Sequence, residues 1–128
     1  MVECVLTILI ISIGLFGMMV LFDNVTRGAM EGDMNVVATY LAREKIEQIL
    51  YNKTYNGYAW VGMNQYLASE PIVLGGSNYV RDLSIYEVQK NDLLTAQGGS
   101  GLKRVDVTVS WGTDPSQRIT ESTLIADY

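Results

Sequence analysis

The chain has no histidine, one cysteine and two prolines in 128 residues. Without histidine, the usual proton shuttle near neutral pH is missing. A single cysteine, Cys4, excludes an intrachain disulfide, a CxxC motif and a Cys–His pair. Basic residues are few: nine Lys and Arg stand against fourteen Asp and Glu, for a net charge of -5. No basic patch can neutralise phosphates, which argues against nucleic acid as a partner. A Ser-His-Asp set and a phosphate-binding glycine loop are also missing. Asp92, Asp106, Asp114, Glu121 and Asp127 are scattered, with no DxDxDG-like cluster, and read as solvated acids rather than calcium ligands. The chain therefore reads as non-enzymatic, with no catalytic, cofactor or metal residue.

What is present is a long apolar run. Met1 to Phe22 holds one charge, Glu3, and is otherwise dominated by Leu, Ile, Val and Met. As a helix at about 1.5 Å per residue it reaches about 33 Å, enough for a bilayer core of about 30 Å. Cys4 inside it reads as a small apolar residue. A secretory signal would have a basic front end, a shorter apolar stretch and a small-residue cleavage site. This run has an acidic front end and no such site, so it is expected to be part of the mature protein, a basic leader having already been removed. Glu3 is the one residue with a pointed functional reading, because a carboxylate in an apolar segment is costly.

The helical pattern continues past the apolar run. No proline occurs before Pro71. Met34, Ala38, Leu41, Ala42, Lys45, Ile46 and Ile49 recur at three- and four-residue spacings and share one face. The spacing predicts an amphipathic helix over 25–51, continuous with an apolar helix over 1–24 that is solvated by lipid or by other subunits. Gly14 and Gly17 are weak points in it, each costing about 1 kcal/mol against Ala. Residues 52–79, with many Tyr and Asn, a Pro and a Gly-Gly pair, read as an irregular loop whose rings cover a sheet or fill subunit contacts.

The remainder reads as β. Val105, Val107, Val109 and Trp111 alternate with Asp106, Thr108 and Ser110, the period of a strand with one apolar face. Flanking runs near 79–90 and 119–126 make an antiparallel sheet of three to four strands over 80–128. Its apolar face needs a cover. The stripe on 34–50 is the available one, so Leu41, Ile46 and Ile49 are expected to pack on Val105, Val107 and Val109. The fold class expected is α+β.

Met1-Val2-Glu3-Cys4-Val5-Leu6-Thr7-Ile8-Leu9-Ile10 resembles the start of mature type IV pilins and type II secretion pseudopilins. These open with a short apolar stretch, an acidic residue and a long Leu/Ile run. Leu41–Ile49 and Lys103–Trp111 resemble the minor-pilin and pseudopilin branch. The sequence departs from the family in three ways. Two residues rather than four precede Glu3, no proline lies in the apolar helix, and one cysteine cannot close a C-terminal disulfide. The last departure leans toward the pseudopilin or minor-pilin type, or toward a bacterium that builds its main pilus without that disulfide. The resemblance implies a structural subunit of an extracellular pilus or periplasmic pseudopilus, polymerising through its N-terminal helix. It implies that Glu3 guides assembly by meeting a neighbour's N-terminal amine. The implied partners are identical or related pilin subunits, the inner membrane before assembly, a prepilin peptidase and the assembly machinery. The competing reading is a single-span membrane protein whose β-headgroup binds a ligand or signalling partner as a monomer.

Overall fold

The computed structural model describes residues 1–128. A single helix, α1, spans Val2–Asn56. After a 3-10 turn at Met63–Gln65 come four strands: β1 (Ser69–Leu74), β2 (Ser77–Glu87), β3 (Leu102–Ser110) and β4 (Arg118–Ala126). They form one antiparallel sheet in the order β1-β2-β3-β4. This is the expected α+β arrangement, a long N-terminal helix packed on an antiparallel sheet.

The chain divides into two compact units, Met1–Asp33 and Met34–Tyr128. The first is helical from Val2 onward, and every residue in it is exposed. The hydroxyls of Thr7, Ser12 and Thr26 donate to the carbonyls of Glu3, Ile8 and Phe22, four residues back, at 2.7, 2.7 and 2.8 Å. Their polarity is thus absorbed by the helix itself. The apolar part of this helix is long enough to cross a membrane, and none of it is buried in the chain.

The second unit, called the headgroup below, has a true core. Its helical part buries Ala38, Leu41, Ala42, Lys45 and Ile49. Ala38, Leu41, Ala42 and Ile49 join Val61, Tyr79, Leu83, Ile85, Val105, Val107, Val109 and Ile125 in one hydrophobic cluster, with Ile46 partly buried against it. The small Ala38 and Ala42 let helix and sheet approach, while Ile49 and the three β3 valines fill the space between them. All four of these larger residues are fully buried. Full burial of such aliphatic side chains contributes about 1.5–3 kcal/mol each.

Two expected boundaries shift. The helix runs to Asn56 rather than ending at 51, because Asn52 to Asn56 contain neither Gly nor Pro. It stops where Gly57 takes a left-handed φ of 86° and its N–H donates to the Lys53 carbonyl at 2.9 Å. The segment 52–79, expected to be irregular, contains the edge strand β1. Gly75 and Gly76, at φ 60° and 81°, form a two-residue turn between the paired Leu74 and Ser77. A turn with positive φ at both central positions matches the twist of antiparallel strands. Pro71 is tolerated because β1 is an edge strand. Correspondingly, β2 begins at Ser77 and the sheet has four strands.

Candidate functional site

In the Met1–Asp33 unit, side chains of Val5, Ile8, Ile13, Phe16, Met19 and Phe22 all stand clear of the protein. Glu3 is the only charge before Asp23, and it lies in the first helical turn. There an acid is favoured by the free N–H groups of the helix end. Asp23 then pairs with Arg27 at 3.1 Å across one turn. The result is a helical surface with one acid at its start and a charged collar at its other end. A contiguous exposed apolar surface of this kind marks a membrane or protein contact. Gly14 and Gly17 lie within regular helix, and a Cβ added at either would meet nothing within 4 Å.

The headgroup holds an ionic network within its core. Glu70 on β1 and Arg81 on β2 sit directly opposite one another in register. The Arg81 Nε and Nη2 donate to Glu70 Oε2 at 2.9 and 2.5 Å. The Lys45 ammonium, from the helix, donates to Glu70 Oε1 at 2.8 Å and lies 5.4 Å from the centre of the Tyr66 ring. Arg81 also donates to the Leu41 carbonyl at 3.1 Å and faces Glu44 at 3.7 Å. Burial of Glu70 raises its pKa, but the hydrogen bonds from Lys45 and Arg81 and their charges outweigh it, leaving the carboxyl below its ordinary 4.5. In the sequence Lys45 stands only as one position on the packed face. Its partners follow from the β1–β2 pairing. The signal for that pairing was Gly75-Gly76 flanked by Ile72-Val73-Leu74 and Tyr79-Val80.

A second network ties down residues 57–66. The Lys103 ammonium donates to the carbonyls of Tyr58 and Val61 at 2.9 and 2.6 Å and stands 4.2 Å from the Tyr58 ring centre. The Tyr58 hydroxyl donates to Glu87 at 3.2 Å, and Glu87 also accepts the Gly99 N–H. Burial and the neighbouring Glu87 carboxylate push the Tyr58 phenol up to about 12. Tyr58, Met63 and Tyr66 pack against the core, so these loop rings cover the sheet. Tyr51 and Tyr55, by contrast, are exposed on the helix with ring centres 4.4 Å apart.

Three of the scattered carboxylates, Asp92, Asp106 and Asp114, serve local structure. Asp92 accepts from the Leu94 N–H at 3.1 Å and from Thr95. Asp114 accepts from Ser116 N–H and Oγ, both at 3.0 Å. Asp106 is held by Arg104 at 2.7 Å, by Ser122 at 2.5 Å and by Tyr86 at 3.1 Å. Among the residues singled out from sequence, Leu41, Ile49, Val105, Val107 and Val109 meet in the core, while Glu3, Gly14 and Gly17 lie apart in the exposed helical unit. Comparison with family models, curated proteins and solved structures yields no match.

Proposed function

We propose that this chain is a pilin-like structural subunit of an extracellular or periplasmic filament, polymerising through its N-terminal apolar helix. The observation that carries the reading is the apolar helical surface from Val5 to Phe22, wholly unburied and introduced by the lone acid Glu3. Before assembly that surface is satisfied by the inner membrane. After assembly it is satisfied by copies of itself, in a core from which water is excluded. Glu3 meets the N-terminal amine of a neighbouring subunit and so sets its axial position. A charge in such a core is tolerated only when paired. The antiparallel sheet on the Leu41–Ile49 stripe supports the reading, since the pilin family resemblance implies that headgroup order. A prepilin peptidase and an assembly machine are the further partners this role requires.

Electron microscopy of material sheared from cells, with antibody against this chain, tests the proposal. Filaments decorated along their length are expected. A chain found only as dispersed monomer in the membrane fraction would instead favour a single-span receptor-like headgroup.

A further inference from the structure

Between the apolar run and the sheet-covered part of α1 lies a stretch that no other part of the chain covers. Residues 24–33 are all exposed. They are polar for lipid, since Arg27, Glu31 and Asp33 put charges among them. They end short of Ala38, the first buried residue of the headgroup helix. Most helical stability in proteins comes from packing one face against something else, and this stretch buries no face. It also holds weak helix formers, Gly28 and Gly32 above all, with Asn24, Thr26 and Asp33 beside them. The two compact units of the chain meet at Asp33 and Met34, just past Gly32.

Neither glycine is demanded by geometry. Both lie in regular helix without a left-handed φ, and a Cβ added at either would meet nothing within 4 Å. Close approach of another helix is disfavoured as well. At about 100° per residue, Asn24, Glu31 and Asn35 share the side of the two glycines and would lose their water. What glycine supplies here is a helix that opens readily. The Asp23–Arg27 pair, at 3.1 Å, staples only the turn before Gly28.

We propose that residues 27–33 are a joint in α1, a turn that opens locally and lets the headgroup change direction on the apolar helix while its own core stays closed. A bilayer would hold the apolar run, and the sheet holds the buried stripe from Ala38 to Ile49. The direction of the headgroup is therefore set where neither acts. Segments with few buried contacts and exposed backbone bonds open first. The joint needs no filament, and a lone membrane-anchored subunit would use it as well as one entering an assembly.

Paired spin labels on the full-length chain, one copy per lipid nanodisc, test this. The labels are carried by Phe22→Cys and Tyr40→Cys, both exposed positions, with Cys4→Ser removing the native thiol. A helix that never opened would hold the two positions about 27 Å apart along its axis. The parent is expected to give a broad distribution that includes shorter distances. Gly28→Ala with Gly32→Ala should collapse it to a single peak near the unbroken value. In the same variant, amide exchange at 27–33 should slow about 30-fold, with exchange at 38–49 unchanged as the sign of an intact headgroup. A parent with one narrow peak at the unbroken-helix distance overturns the joint. A double-alanine chain as broad as its parent, or as fast to exchange, overturns it too and leaves the glycines as places of close helix approach.

Discussion

Lys45 shows how one residue can report on a whole interface. Its side chain is 5% exposed, and a buried ammonium is costly unless paired and hydrogen-bonded. Glu70 supplies the pairing and is itself shared with Arg81. Removing the shared acid should therefore hurt more than removing one cation. Glu70→Ala leaves Lys45 buried and uncompensated and is expected to cost about 3–5 kcal/mol. Lys45→Met keeps the packed stem and leaves Glu70 paired with Arg81, so a smaller loss is expected. Urea denaturation of the full chain in detergent measures both, and equal losses would show that Glu70 is not the shared partner. The same carboxyl sets an acid limit. Its folded pKa is depressed below 4.5, so its contribution is fully present above that pH. The contribution is lost as pH falls through the folded value, when the folded protein must take up the proton. The denaturation midpoint should drop below pH 4.5, and Glu70→Gln should flatten that drop. A variant with the parent's acid slope would assign the effect to other carboxylates.

At the scale of elements, the helix and sheet depend on each other, since neither apolar face has another cover. Ile49→Ala or Val107→Ala empties a fully buried position and should lower headgroup stability by about 1–4 kcal/mol. An unchanged midpoint in both would refute the shared core. The turn joining β1 to β2 is a separate element. Gly76 at φ 81° holds a conformation that costs an L residue about 1–2 kcal/mol, so Gly76→Ala should destabilise by that amount through strain alone. Amide exchange localised to β1 would check it. These elements differ in how openly the sequence displays them. The helical stripe from Ala38 to Ile49 and the alternation of Val105, Val107 and Val109 were legible because each repeats over several turns or pleats. β1 was hidden because Pro71 argues against a strand and its six residues carry little alternation. With β1 hidden, the Glu70–Arg81 pair could not be read either, for residues so placed become neighbours only through strand register.

For the whole molecule, the filament reading proposed above would have the apolar helix serve two environments, and two sites in it bear on the change. Glu3→Ala should leave the subunit stable in the membrane, since it removes a charge from an apolar segment, yet impair its incorporation into filaments. Assembly at the parent rate would remove the pairing role. The second site is the pair Gly14 and Gly17. The pilin resemblance implies that part of the apolar helix unwinds on assembly, commonly at a proline, which this helix lacks. Glycine weakens helix by about 1 kcal/mol per position relative to Ala, so Gly14 to Met19 is the weakest stretch of the apolar run. The monomer holds it as regular helix. In lipid that state would be enforced, because unwound backbone there would leave polar groups without partners. In the proposed filament, neighbouring subunits would relieve the constraint, as their backbones and hydroxyls can accept the freed bonds. An irregular or stretched segment is therefore expected near Gly14 to Met19 in the filament alone. Gly14→Ala with Gly17→Ala should restore about 2 kcal/mol to the helical form. That substitution should slow assembly while leaving membrane insertion unchanged. A filament structure with unbroken i to i−4 hydrogen bonds from Ile8 to Phe22 would sink the idea and leave the glycines as sites of close helix approach.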